Sequence, residues 1–202
     1  MVESIGATIN GLNEAYWQSR WADGQTGWDL GKLSNPLKFI IDNLEDQDAR
    51  ILVPGAGNGY EVGYLFDNGF MNTYLLDWAK YPLDHFASQY PDFPKAQLLH
   101  RDFFSLADSF DIIIEQTFFC ALEPSLRPRY VEHMHNLLKP GGVLTGVLFN
   151  HPLFTDYPPF GGNLAEYQDL FQPLFSFDVL EPCDISEPDR QGMELMFRCS
   201  KE

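Results

Sequence analysis

The stretch "RILVPGAGNGY", residues 50–60, most restricts what this chain can fold into. A short β-branched run breaks into Gly55, Gly57 and Gly59, and "YEVGYLFDNGF" then follows with helical spacing until Asn68-Gly69 stops it. That is a buried strand turning at once into a helix. The pattern recurs downstream: strand "NTYLLD", helix "YPLDHFASQY", strands "AQLLHRD" and "FDIIIEQ", helix "PSLRPRYVEHMHNLLK" ended by "PGG", and strand "VLTGVLF". Helix "LAEYQDLF" and the strands "FSFDVLEP" and "MELMFRCS" complete the chain. Strands alternating with helices predict right-handed crossovers and a largely parallel sheet. The expected fold is α/β and Rossmann-like: seven strands, helices on both faces, an antiparallel terminal strand, and one domain over residues 1–202.

Upstream of the first strand, "LNEAYWQSRWADG" reads as a short helix with Asn13 as N-cap. "PLKFIIDNL" is a second helical candidate. Three of the four tryptophans, Trp17, Trp21 and Trp28, lie in this leading segment. They are either ordinary core or a cover for something flat or cationic. A formal net charge of −16 argues against a nucleic-acid partner, which needs a basic face, and against an anionic membrane surface. The 3 cysteines show no metal-ligand or disulfide spacing, and residues 1–12 lack a signal-peptide pattern, so a cytoplasmic chain with free thiols and no metal is expected.

In sheets of this kind ligands sit at the carboxyl ends of the strands. The glycines let the backbone turn sharply and approach a ligand closely. Their spacing is G-x-G-x-G rather than the G-x-G-x-x-G of dinucleotide sites. Asp77 ends the second strand, where a carboxylate can accept from both ribose hydroxyls of a nucleoside. Asp102 ends the third, within reach of an adenine amino group, and Phe103 beside it can pack on the base. Each reading has a plain structural counterpart: a tight βα turn, a helix cap at Asp77, a turn cap at Asp102, and a core ring at Phe103.

Glycine turn, second-strand acid and third-strand acid are laid out as in class I S-adenosylmethionine-dependent methyltransferases. "WQSRWADGQTGWDLG", "LVPGAGNGYEV", "LLDWA", "QTFFCALEPSLRPRYVEHMHNLLKPGG" and "PPF" resemble the thiopurine S-methyltransferase family, and most of all its thiol and halide methyltransferase branch. The resemblance runs from Trp17 to the final strands. It implies that S-adenosyl-L-methionine is the cofactor and that residues 1–33 form a lid in which Trp17, Trp21 and Trp28 help bind it. It puts Gly55, with Gly57, at the cofactor's amino-acid end, Asp77 at the ribose, Asp102 and Phe103 at the adenine, and Gln116 beside the cofactor. Many class I enzymes carry an acid where this chain has Val53, and members of the branch often carry Tyr or Arg where Gln116 stands.

No catalytic dyad is evident, which suits a soft nucleophile: a thiol is partly ionised near neutrality and a halide needs no base. The implied reaction is in-line methyl transfer to a thiol, bisulfide, thiocyanate or halide. The loop "NHPLFTDYPPFGG", residues 150–163, is rich in aromatics and proline and is the candidate substrate loop. Phe118, Phe119, Tyr157 and Phe160 are candidate acceptor-pocket walls, with core packing as the alternative. The acceptor is expected to be a small molecule and the protein a monomer or weak homo-oligomer. Rival readings are a small-molecule O- or N-methyltransferase and a non-catalytic S-adenosylmethionine-binding module.

Overall fold

The computed structural model describes residues 11–202. The first ten residues of the expected lid lie outside them. The elements run α1 (Glu14–Ala22), α2 (Asn35–Asp42), β1 (Ile51–Pro54), α3 (Tyr60–Asp67), β2 (Thr73–Asp77), α4 (Lys80–Gln89), β3 (Leu98–His100), β4 (Phe110–Gln116), α5 (Arg127–Leu137), β5 (Leu138–Phe149), α6 (Leu164–Phe171), β6 (Ser176–Pro182) and β7 (Glu194–Ser200). The seven strands form one sheet in the order β3-β2-β1-β4-β5-β7-β6. Pairings among β1 to β5 are parallel, and β7 runs antiparallel to both β5 and β6.

The continuous apolar strands follow from burial on both faces. Side chains alternate across a strand, so neighbours in sequence enter different cores. Leu52, Leu76 and Ile113 join Tyr130 and Met134 of α5 and Tyr167 and Phe171 of α6 on one side. Ile51, Val53, Leu75 and Ile114 join Leu37 and Ile41 of α2, Val62 and Leu65 of α3, and Phe86 of α4 on the other. Each fully buried aliphatic side chain stabilises the fold by about 1.5–3 kcal/mol.

Three boundaries differ from expectation. The fifth strand begins at Leu138 rather than after the glycines, because Leu138 pairs with Phe110 and the register then jumps to Ile112 opposite Val143. The intervening Lys139–Gly142 segment bulges, with Gly141 at φ +76°. The third strand is short because Lys95–Gln97 winds into a 3₁₀ turn before it and Phe103–Ser105 into another after it. Within β5, Gly146 has φ +155°, and a Cβ there would stand 1.9 Å from the carbonyl oxygen of Glu115. Only glycine lets β4 and β5 approach in this way.

The chain leaves β1 for β2 on one side and later returns to β4 on the other. The crevice where ligands enter doubly wound sheets therefore opens between the ends of β1 and β4.

Candidate functional site

A cleft lies at that point, lined by the β1 turn from Val53 to Asn58, by Gln116 and Thr117 after β4, and by Trp21, Trp28, Asp29, Glu61 and Arg190. Gly55 and Gly57 have φ of +60° and +52°, values other residues adopt at a cost. Space is equally restrictive: a Cβ on Gly55 would lie 2.3 Å from the Phe118 ring, and one on Gly57 3.0 Å from the Trp21 indole. The turn is thus pressed between a β4-side phenylalanine and the N-terminal segment.

Asp77 does not line the cleft but supports its floor. Its Oδ2 accepts from the Gly57 N–H at 3.0 Å and its Oδ1 from the Ala79 N–H at 2.8 Å, just ahead of α4. It is 8% exposed. Burial pushes its carboxyl up to about 6 against the pull of those backbone donors. A third backbone donor, Trp78, also acts on this carboxylate, whose two oxygens offer about four lone-pair sites in all. Asp102 Oδ1 accepts from Phe104 N at 3.0 Å, capping the turn after β3. Phe103 is buried, edge-on to Phe118 and His133 at 5.0 and 4.7 Å.

The tryptophans form a chain of edge-to-face contacts: Trp17 to Trp28 at 5.6 Å and Trp21 to Trp28 at 5.8 Å. Trp21 and Trp28 line the cleft, while Trp17 packs on Trp28 from behind. The segment is tied down by polar contacts. Gln18 Oε1 accepts from Lys80 N and Tyr81 N at 2.9 and 3.1 Å, capping α4, whose own N-cap residue Ala79 has no side-chain acceptor. Asn58 donates to Asp29 at 2.6 Å. Lys32 pairs with Glu187 at 2.7 Å, and Arg190 donates to the Trp28 carbonyl at 3.0 Å.

After β4, Ser34 donates to Gln116 Oε1 at 2.8 Å, whereas Gln116 Nε2 is buried without a partner among the described residues. A buried amide donor of that kind is open to an acceptor, whether water or a ligand. Next to it Thr117, at φ +59°, is the one non-glycine residue with positive φ among the described residues. Such a conformation costs about 1–3 kcal/mol and persists where surroundings enforce it. Thr117 separates the cleft from a smaller inner cavity of about 10 Å³, walled by Glu115, Phe119, Cys120, Val147, Phe149 and Glu194 among others. Burial pushes the Cys120 thiol up to about 12, so it is not an ionised nucleophile.

Of the four candidate pocket walls, Phe119 borders the inner cavity, and Phe118 lies against the glycine turn. Phe160 is buried and donates its N–H to the Cys120 carbonyl at 2.7 Å. Tyr157 lines neither space; it is 53% exposed and stacks on Phe154 at 4.3 Å.

Asp29, Glu61, Glu187, Arg190 and Glu194 escaped the sequence reading. Glu61 alone had a local signal, as an acid in the first turn of a helix opening from the glycines. Burial, with Asp29 adding to it, pushes its carboxyl up to about 7. Arg127, in the "LRPRY" stretch, is a further surprise: buried, it pairs with Glu166 and donates to the Gly161 carbonyl at 2.7 Å, anchoring the 150–163 loop.

The cleft fits S-adenosylmethionine in its chemistry. It offers indole rings, acidic and basic side chains for an amino-acid end, and an unpaired amide donor at Gln116. Strand order, glycine turn and strand-end acids together define a class I S-adenosylmethionine-dependent methyltransferase. Solved structures agree on the fold. A 1,6-didemethyltoxoflavin-N1-methyltransferase from Burkholderia thailandensis, solved with S-adenosylhomocysteine, superposes with a TM-score of 0.79 at 17% identity, covering 95% of this chain and 88% of that one. A TehB-like S-adenosylmethionine-dependent methyltransferase from Corynebacterium glutamicum gives 0.64 at 16% identity, over 94% and 98%.

The chain belongs to the thiopurine S-methyltransferase family, whose model matches residues 12–202. It is 33% identical to probable thiol methyltransferase 2 of Arabidopsis thaliana over 92% of this chain and 84% of that protein. It is 30% identical to thiocyanate methyltransferase 1 of Brassica oleracea over 94% and 86%. It is thus an enzyme that uses S-adenosyl-L-methionine to methylate a small molecule.

Proposed function

We propose that the acceptor is a small soft nucleophile (a thiol, bisulfide, thiocyanate or halide) methylated by in-line displacement. The inner cavity carries this reading. At about 10 Å³, with Phe119, Val147, Leu148 and Phe149 on its apolar side and Glu115 and Glu194 also in its wall, it has room for the reacting atom of an acceptor, the rest of which lies towards the cleft. Such a space favours nucleophiles that shed water easily. The names of the thiol and thiocyanate methyltransferase relatives support the same class.

S-adenosylmethionine would supply a methyl group on a sulfonium, whose neutral thioether leaving group needs no acid. The chain's own residues have several tasks in this reading. Trp21 and Trp28 face the cation and exclude water, with Trp17 bracing Trp28. Gly55 and Gly57 give a close floor, Asp77 accepts from the ribose, and Asp102 accepts from the adenine while Phe103 backs its turn from the core. Gln116 donates its free Nε2–H. Phe119 walls the acceptor, Phe118 backs the glycine turn beside it, and the 150–163 loop that carries Phe160 and the exposed Tyr157 is the proposed rim.

With the indoles where they stand the cleft holds about 60 Å³, well short of the roughly 300 Å³ of a small-molecule pocket. Admission therefore requires the described part of the 1–33 lid, residues 11–33, to swing outward. The charge of −16 supports the absence of a nucleic-acid or membrane partner. The buried free thiols of Cys120, Cys183 and Cys199 support a reducing, cytoplasmic setting, with the protein acting as a monomer or weak homo-oligomer.

The test is a panel of ethanethiol, hydrogen sulfide, thiocyanate, iodide, a phenol and an amine at equal concentration, read as S-adenosylhomocysteine formed. One of the first four should lead. Preference for the phenol or the amine over all four would overturn the acceptor class.

A further inference from the structure

The inner cavity has two carboxylates in its wall, Glu115 and Glu194, and they differ in what remains free. Glu115 is fully engaged. Its Oε1 accepts from Phe118 N and Phe119 N, both at 2.9 Å, and its Oε2 from the Tyr130 hydroxyl at 2.7 Å. Cys120 Sγ donates to the Thr117 carbonyl at 3.3 Å. Glu194, the first residue of β7, is 3% exposed. Its Oε1 lies 3.4 Å from Arg190 Nη1, and its Oε2 is buried with no donor at hydrogen-bonding geometry among the described residues; the nearby Ser186 hydroxyl, which also acts on this carboxylate, donates to the Cys183 carbonyl at 3.1 Å.

An orphaned carboxylate oxygen on a cavity wall is costly unless something in the cavity donates to it. A halide or thiocyanate has no proton to offer and would meet this oxygen as charge against charge. A thiol or hydrogen sulfide brings an S–H. We propose that Glu194 accepts the proton of a protic sulfur acceptor held in the inner cavity, so that this site is built for thiols and hydrogen sulfide ahead of halides and thiocyanate.

This inference rests on the acceptor class proposed above. The acceptor sulfur forms the new bond to carbon while the old carbon–sulfur bond breaks, its electron pair leaving with the cofactor's sulfur. The S–H electrons stay on the acceptor, and the proton passes to Glu194 Oε2 and then to solvent. Thr117, shared by both spaces, marks where acceptor and methyl meet. The groups around Glu194 fit the role. Burial raises its pKa and nearby Glu187 adds to that, while Arg190 and Ser186 oppose it; the balance is a rise, towards the range of an effective general base.

The experiment compares wild type, Glu194→Gln and Glu194→Asp with ethanethiol and with iodide. The ethanethiol-to-iodide ratio of turnover should fall about 10²-fold in Glu194→Gln and recover in part in Glu194→Asp. A second readout needs no cofactor. The ¹³C carboxyl resonance missing from Glu194→Gln should titrate above about 4.3 in the free wild-type protein and shift on adding ethanethiol but not iodide.

An unchanged ratio, or a resonance indifferent to ethanethiol, overturns the assignment. Wild-type preference for iodide or thiocyanate over both protic acceptors also overturns it, while leaving the soft-nucleophile class intact. Failure on all four soft acceptors removes both. Should Glu194→Gln not fold, the wild-type pH profile decides. Its ethanethiol rate should level off below the thiol's own pKa, about 8.5 or higher. A tenfold rise per pH unit up to that pKa overturns the role.

Discussion

The N-terminal segment from Asn13 to Ser34 and the unit β1–α3–β2 border the same cleft but are held by different forces. In the second, Ile51, Leu52, Val62, Leu65 and Leu75 are all 0% exposed, and the strands are laddered in parallel. In α1 the single buried side chain is Trp21. The rest of the segment hangs on Gln18, Asp29, Lys32 and the Trp28 carbonyl. A buried aliphatic residue is worth about 1.5–3 kcal/mol, a hydrogen bond about 0.5–1.5, and an exposed ion pair about 0–1. The floor is therefore held on the scale of global unfolding, and the cover by contacts that are individually weaker, as the proposed lid requires. A site that must admit and release a nucleoside needs that asymmetry.

The largest effect should come from breaking the rigid side. Gly146→Val puts a side chain where 1.9 Å separates Cβ from the Glu115 carbonyl oxygen, and should abolish cooperative thermal unfolding. A variant melting like wild type would mean that the sheet yields more easily than the cover. Removing residues 1–30 should instead leave a cooperatively folded sheet that loses cofactor affinity at least tenfold by calorimetry. Normal affinity would take the tryptophans out of cofactor binding, and unfolding would make the segment part of the core.

Asp77 holds the Gly57 N–H in the turn on which Trp21 of the N-terminal segment packs. Asp77→Ala should weaken S-adenosylhomocysteine binding by about 1.5–3 kcal/mol, the range for hydrogen bonds to a charged group, in a folded protein. Unaltered affinity would remove the ribose role.

pH separates the regions differently. Burial pushes Asp77 up to about 6 and Glu61 and Glu115 up to about 7. Their native pKa values exceed the unfolded ones, so the stability they contribute is complete below about pH 4 and is lost as pH rises through about 7. The melting midpoint should fall between pH 5 and pH 8, and less steeply in Glu115→Gln. An equal slope in that variant would exclude Glu115 as a source. The smallest effect belongs to the cover: Gln18→Ala should cost about 1 kcal/mol or less, the worth of a helix cap, and raise the rate of cofactor release.

Much of the fold was legible because its signals are local. Asn13, Ser34 and Asn163 cap their helices within three residues of themselves. The unbroken apolar runs in "ILV" and "FDIII" mark strands buried on both faces without reference to the rest of the chain. The strand boundaries around Pro140-Gly141-Gly142 were less legible, since a bulge depends on the partner strand's register. In the site, the glycine turn and Asp77 could be anticipated from strand–turn–helix grammar. Tyr157 illustrates the reverse: an aromatic in a loop carries no sign of whether it points inward.

By itself the sequence determined the order of strands and helices, the glycine turn at the switch point and an acid at the end of β2, because turns, caps and side-chain periodicity act between near neighbours. Only the tertiary structure decided what closes the cleft and what faces the inner cavity. Arg190 reaches the Trp28 carbonyl across 162 positions, and Glu187 reaches Asn35 across 152. Glu194 comes beside Thr117 only because β7 turns antiparallel against β5, opposite Phe149. Such contacts depend on how layers pack, and no pattern of neighbouring residues encodes which distant charge will be buried with one oxygen free.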